Sequence, residues 1–224
     1  MPISIRKIGF SDLGDVTDLL YRSFEGFNPG SKLALLAAIT SVWPLKLFQL
    51  MSPLFEVRPG YHFHLALQDN LKIAGVIGVY EMLESRWRSG QKLCDHDLGS
   101  RQNIWIEWFA VEEKMRGQGV GTALLKSFVG EALKMSAEKG YDSPNICLIN
   151  ENKDVLKNHA AKRYYDDLGL KPVVILGGES ETVIRSIKLV DLVAKLADKG
   201  VDLELDSKSQ NYLQSISRAN QPNL

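Results

Sequence analysis

Apolar and polar positions alternate along this chain with two different periods, and each change of period marks an element. Ile3 to Ile8 alternates and predicts a short strand. Leu13, Val16, Leu20 and Phe24 step by three and four. That spacing predicts a helix capped by Ser11, with Asp12 and Asp15 in the first turn, where carboxylates suit the helix dipole. Tyr61, Phe63, Leu65 and Leu67 alternate with His62, His64, Ala66 and Gln68, as on a half-buried strand. Asp69-Asn70 then turns the chain into a second strand, Leu71 to Tyr80, and closes a hairpin. The polar run 84–101 reads as a long connection, before an apolar-aromatic strand from Ile104 to Val111 that carries one acid, Glu107. A glycine-rich turn follows, then a helix from about Val120 with Leu124, Phe128, Ala132 and Met135 on one stripe. Pro144 precedes a strand, Ile146 to Ile149, and a helix from about Asp154 to Leu168 ends at Gly169, a C-cap. Val173 to Leu176 and Val183 to Leu189 form a closing hairpin about Gly177-Gly178. The tail begins as an amphipathic helix around Leu192, Val193 and Leu196 and fades into polar residues.

One segment fits neither period. From Leu33 to Phe55 the only charge is Lys46, and the stretch is long enough to span a bilayer. Lys46 sits near its middle, however, Pro44 and Pro53 interrupt it, and Thr40, Ser41, Gln49 and Ser52 dilute its apolarity. Two short helices broken near Pro44 fit better than a membrane span, because proline removes a backbone donor and clashes with the preceding turn. The insertion, 30–60, then reads as a lid over a substrate site, a dimer surface or a peripheral membrane contact.

Composition narrows the class without naming a function. The 224 residues carry 27 Lys+Arg and 27 Asp+Glu, so nothing basic stands out to displace counterions from a nucleic-acid backbone. An apolar fraction of 45% excludes wholesale disorder. Cys94 and Cys147 are too few for a disulfide framework, and the N-terminus lacks the basic-then-apolar order of a signal peptide; a cytoplasmic protein is the expectation.

The chemistry lies in residues 104–125, where a strand runs into Arg116-Gly-Gln-Gly-Val-Gly121 and directly into a helix. Three glycines in five residues let backbone N–H groups approach a ligand, and the helix N-terminus adds unsatisfied donors and positive potential. That combination suits a pyrophosphate. It is not a P-loop, since no lysine stands before Thr122, and it is not the Rossmann fingerprint, since Gly117 and Gly119 are followed by Thr122 where Gly or Ala is needed.

Here the sequence resembles the GNAT superfamily of acetyl-CoA-dependent N-acetyltransferases. Its Arg/Gln-x-x-Gly-x-Gly/Ala motif is matched by Arg116-Gly117-Gln118-Gly119-Val120-Gly121, flanked by Phe109-Ala-Val111 and Thr122-Ala-Leu-Leu. A second block, Asn158-His-Ala-Ala161-Lys-Arg-Tyr-Tyr165-Asp-Asp-Leu-Gly-Leu170, resembles the family's Asn-x-x-Ala-x-x-x-Tyr-x-x-Leu-Gly-Phe, with Leu170 replacing the aromatic. The resemblance runs from Ile3 to Leu189. It departs at the insertion, at 84–101, between Asn150 and Asn158, and in the tail.

The resemblance implies a mixed α/β fold with a mostly antiparallel, splayed sheet flanked by helices: a transferase domain over 1–189, with the 30–60 insertion, and a helical extension over 190–224. It implies direct attack of a primary amine, on a small molecule or a peptide, upon acetyl-CoA, with no metal. Phe109 and Val111 would pair with the pantetheine arm and polarise the thioester carbonyl. Arg116, Gly117, Gln118, Gly119, Val120, Gly121 and Thr122 would hold the pyrophosphate, and Asn158 and Tyr165 would line the sulfur end. Glu107, on the strand face shared by Trp105, Phe109 and Val111, is the candidate base; desolvation there would raise its pKa. Tyr165 is the candidate acid, while Tyr164 is assigned to packing. His62 with His64, and Cys94-Asp-His96-Asp97, lack the spacing of a metal site, and Trp87 between Arg86 and Arg88 reads as a solvated loop edge. Two other readings stand beside this one: a non-catalytic acyl-CoA-binding module, and a membrane-peripheral acyltransferase anchored by 33–55. A homodimer is a further expectation left open.

Overall fold

The computed structural model describes residues 2–23, 62–69, 72–82, 86–88, 91–93, 102–142, 144–151, 159–176 and 182–219. The insertion at 30–60 and the Gly177-Gly178 turn lie outside the described residues. The chain divides into two compact units, residues 1–80 with 107–125 and residues 81–106 with 126–224.

In the first unit β1 (Ile3–Lys7) pairs antiparallel with β2 (His62–Gln68), and β2 with β3 (Lys72–Met82). The Glu107–Val111 end of β6 (Asn103–Val111) comes next in strand order. Phe63, Leu65 and Leu67 bury one side of this sheet against Val16, Leu19 and Leu20 of α1 (Leu13–Ser23), and Trp108 stacks on Phe63 with ring centroids 5.6 Å apart. The other side is covered as well: His64 and Ala66 are buried, so β2 is enclosed on both faces and is not the half-buried strand that alternation predicts. The tight β2–β3 turn puts Asp69 at φ 51°, a left-handed conformation that a short polar side chain tolerates.

The start of α1 also differs from expectation. Phe10–Asp12 is a 3₁₀ turn and the helix begins at Leu13. Asp12 accepts from Arg6 Nη1 and Nη2 at 2.6 and 2.7 Å and from the Gly9 N–H at 2.7 Å, so its carboxylate ties the turn to β1 and Ser11 does not lead the helix. The Arg6 hydrogen bonds, helped by the Gly9 N–H, hold the Asp12 carboxyl below its ordinary pKa.

The second unit contains the short β4–β5 hairpin (Arg86–Arg88, Gln91–Leu93) within what the sequence predicts as an open connection. The Asn103–Ile106 end of β6 pairs parallel with Asn145–Leu148 of β7 (Asn145–Glu151), the one parallel pair among those described. β7 pairs antiparallel with β9 (Thr182–Lys188), and β9 with β8 (Lys171–Leu176). Helix α2 (Val120–Lys139) starts at the predicted residue, and its Lys126–Lys139 part lies in this unit. Helix α3 spans His159–Asp167; residues 152–158, where the sequence predicts its start, lie outside the described residues. Its end is as predicted, with Gly169 at φ 80° and the Leu170 N–H donating to the Tyr165 carbonyl at 3.0 Å. The tail does not fade after α4 (Leu189–Asp198): a further helix, α5 (Ser207–Ala219), is capped by Asp206, whose Oδ1 accepts the Ser209 N–H at 2.7 Å.

Two predictions follow from the first unit. Asp12→Asn should cost about 1–2 kcal/mol at pH 7, a charged hydrogen-bond pair discounted for the exposed Arg6 side chain. Because folding lowers the Asp12 pKa, this contribution is complete above the unfolded value of about 3.9 and is lost as pH falls through the folded one. Urea unfolding at a series of pH values should therefore show variant and parent converging below about pH 4. The second concerns Gly75 of β3, where an added Cβ would lie 2.8 Å from the Ala110 carbonyl oxygen and 2.9 Å from Leu124 Cδ1. Gly75→Ala should lose about 1–3 kcal/mol by overpacking. Gly130→Ala, in open space on α2, should gain about 0.5–1 kcal/mol by helix propensity; equal thermal midpoints for the two would contradict the packing argument.

Candidate active site

β6 leaves the sheet of the first unit at Val111, and the Glu112 N–H donates to the Ala74 carbonyl at 2.9 Å, which fixes the direction of departure. Arg22, in the last turn of α1, reaches the Glu112 carboxylate at 3.0 Å. A 3₁₀ turn, Glu113–Met115, follows, with Met115 buried beneath it. Gly117 and Gly119 then adopt φ 75° and 81°, and these left-handed residues allow the reversal into α2. Neither would meet an atom within 4 Å if it carried a Cβ, so both face open space.

The Ala123 N–H closes the first helical bond onto the Gly119 carbonyl at 2.9 Å, which makes Gly119 the N-cap. The orphan donors of α2 are therefore the N–H groups of Gly119, Val120, Gly121 and Thr122. A glycine cap has no side-chain oxygen to satisfy them, and the first turn holds no acid to neutralise the dipole. Val120, Leu124 and Leu125 are buried, so the helix start is anchored by packing even though it is uncapped. An anchored helix N-terminus whose first N–H groups lack intrahelical acceptors suits an anion, and a phosphate above all.

The predicted residues sort as follows. Phe109 and Val111 lie half-buried at the end of β6, and Gly117 through Thr122 form the turn and first helical residues. Arg116 is exposed; its Nε folds back toward the Val111 carbonyl at 3.4 Å, across the turn. Gln118 Nε2 donates to the Lys114 carbonyl at 2.8 Å, which braces the loop from within. Glu107 stands on β6 two residues before Phe109, and its backbone alone is described. Asn158 lies outside the described residues. Tyr165 is on α3 in the second unit, half-buried, with its ring edge-on to Tyr164 at 6.1 Å between centroids. Among the described residues no group of three or more His, Cys, Asp or Glu could hold a metal ion. No described helix is long and apolar enough to cross a membrane.

Sequence reasoning missed two contacts here. Glu112, to which the sequence reading gives no role, takes Arg22 of α1 on its carboxylate and donates its backbone N–H to Ala74 of β3. Arg185 interrupts the apolar run of β9 and is buried, with Nη1 donating to Asp166 Oδ1 at 2.6 Å and to the Leu170 carbonyl at 2.9 Å. The signal for the second was a lone charge inside Val183-Ile184-Arg185-Ser186-Ile187.

Comparison with known proteins agrees on the fold. A GNAT-family protein from Desulfovibrio desulfuricans superposes with TM-score 0.56 at 15% identity, covering 84% of this chain and 99% of its own. The ribosomal-protein-S18-alanine N-acetyltransferase of Escherichia coli gives 0.51 at 18% identity, with 84% and 94% covered. Arabidopsis thaliana Naa50, solved with the bisubstrate analogue CoA-Ac-MVNAL, gives 0.51 at 15% identity, with 84% and 99% covered. No curated relative matches the sequence. The model of the acetyltransferase (GNAT) family matches residues 21–170, which takes in the strand, the glycine turn and helix α3, and the chain belongs to that family.

Proposed function

We propose that the protein transfers the acetyl group of acetyl-CoA to a primary amine, on a small molecule or a peptide, by direct attack. The observation that carries this reading is the uncapped, acid-free N-terminus of α2 behind Gly117 and Gly119. It offers four N–H donors and a positive dipole end, which suits the CoA pyrophosphate. The CoA-peptide analogue bound by Arabidopsis Naa50 supports CoA as the donor on this fold.

In this reading the backbone at Phe109 and Val111 pairs with the pantetheine arm, and an N–H there polarises the thioester carbonyl. Glu107 accepts a proton from the amine, directly or through water, because an ammonium with pKa near ~10.4 has no lone pair to attack with. The amine nitrogen bonds to the acetyl carbon, the C–S bond breaks, and the sulfur keeps the electron pair. Tyr165 donates its hydroxyl proton to that thiolate, and Asn158 lines the sulfur end. As the adduct collapses, the nitrogen gives up its second proton, which returns through water to the Tyr165 oxygen, while Glu107 releases its proton to solvent; the products are the acetylated amine and free CoA. Residues 1–189 form the transferase domain and 190–224 an extension to it.

The test uses the full chain with acetyl-CoA and a panel of free N-terminal peptides, arylalkylamines and spermidine, following release of the CoA thiol. Saturable release that requires an amine is expected. Acetyl-CoA binding by calorimetry with no release across the panel would leave a non-catalytic acyl-CoA-binding module. Gly121→Val, at a glycine of the same turn that is not left-handed, should weaken acetyl-CoA binding at least about tenfold, a loss of about 1.4 kcal/mol, with the thermal midpoint held; unchanged affinity would end the cradle assignment. Glu107→Gln and Tyr165→Phe should each lower kcat by about 10²–10⁴-fold with acetyl-CoA affinity retained. Parental turnover by both would pass the proton transfers to water or other groups.

A further inference from the structure

Arg185 is buried in β9, and its bonds to the described residues leave the sheet. Its Nη1 crosses to α3 and the residues after it, bonding Asp166 Oδ1 at 2.6 Å and the Leu170 carbonyl at 2.9 Å. Both acceptors adjoin Tyr165. Asp166 is its neighbour on α3, and Leu170 is the residue whose N–H donates to the Tyr165 carbonyl at 3.0 Å. One guanidinium nitrogen thus joins the residue after Tyr165, and the residue that bonds the Tyr165 carbonyl, to a strand held by pairing on both edges. Lys162 holds Asp166 from the exposed side at 3.0 Å, as an i,i+4 pair on the same helix, and so cannot fix the helix against the sheet.

A buried charge needs a geometric reason, since an apolar residue of similar volume would hold a helix on a strand at no desolvation cost. Apolar packing, though, leaves a helix free to slide and rotate by fractions of an ångström, whereas short charge-assisted hydrogen bonds have a defined direction. That precision matters at a proton donor, which must lie within hydrogen-bond reach of the atom it protonates.

We propose that Arg185 is a positioning residue for Tyr165: through Asp166 and the Leu170 carbonyl it sets the rotation and height of α3, so that the tyrosine hydroxyl meets the CoA sulfur. The inference rests on the reading of Tyr165 as the thiolate's proton donor, and its test separates the two.

The experiment needs no acceptor. The full chain is saturated with CoA, and the pKa of the bound thiol is read from its thiolate absorbance against a desulfo-CoA complex. A hydroxyl aimed at the sulfur stabilises the thiolate. Tyr165→Phe should therefore raise the bound thiol's pKa by about one unit. Arg185→Lys keeps the charge and loses the planar fork, and it should raise the pKa comparably. Asp166→Asn, at a more exposed position, should raise it less and tests the same link should Arg185→Lys fold poorly. In a Tyr165→Phe background neither change should add anything. A Lys162→Ala control should leave the thiol unmoved. An unmoved thiol in Tyr165→Phe, or absent CoA binding, would overturn the donor reading and this proposal with it. A shift in Tyr165→Phe alone would overturn the positioning role and leave the donor. A shift by Arg185→Lys that persists without the Tyr165 hydroxyl would also overturn the positioning role, because a structural effect need not pass through that group.

Discussion

The start of α2 is held by packing and left without a cap, and the candidate site depends on that separation. A side-chain cap contributes typically about 1 kcal/mol to a helix, and α2 forgoes it at Gly119. Burial of Val120, Leu124, Leu125, Phe128 and Val129 stabilises the helix instead, at about 1.5–3 kcal/mol for each fully buried large side chain. Val120 and Leu124 are anchored over Gly75 of β3, which is bare enough to let them and the Ala110 carbonyl of β6 close in. The orphan N–H groups are thereby fixed in space without being consumed. At α5 the opposite choice is visible: Asp206 spends its carboxylate on the Ser209 N–H, and that helix start has less to offer a ligand.

The same logic explains why the backbone of the candidate site, its strand, glycine turn and helix, was legible in the sequence. A strand, a glycine turn and a helix are local features, and their order from Ile104 to Leu125 needs no tertiary information. Val120 as the first helical residue and Gly169 as a left-handed C-cap follow from glycine's conformational freedom alone. The backbone donors at Gly119 to Thr122 could be named in advance because they are the donors that every helix leaves unpaired.

What was hidden depended on partners distant in sequence. Asp12 looked like a first-turn acid because its neighbours suggest a cap; Arg6 and Gly9 draw it into a turn that the local pattern does not contain. The strand at His62–Gln68 reads as half-buried by alternation, yet pairing on both edges and cover on both faces enclose His64 with the rest. The β4–β5 hairpin is three residues to a strand, too short for a period to declare itself. Helix α5 was masked by its polarity, though Asp206 followed by Tyr212 and Ile216 carried both a cap and a helical spacing.

Glu112 and Arg185 show a single rule at work on the two candidate elements. Each is a charged residue placed where the chain enters or braces a site-bearing segment, and each bonds an oppositely charged side chain and a backbone carbonyl, Glu112 reaching the carbonyl with its own N–H and Arg185 with its guanidinium. Their energetic weights differ. Arg22 is largely exposed, so its bond to Glu112 is screened and contributes little. Arg185 is 6% exposed, so its guanidinium is little screened and depends on the Asp166 carboxylate and the Leu170 carbonyl, although Asp166 itself is partly solvated. The glycine turn can tolerate the weaker tie, since packing under Val120 and Met115 already fixes it. Helix α3, described over His159–Asp167, is marginal on the hydrogen bonds of that length alone and takes definition from its ties to the sheet. On the proposed reading of Tyr165 as a proton donor, α3 carries a group that must be aimed, and a buried, directional bond supplies an orientation that packing does not.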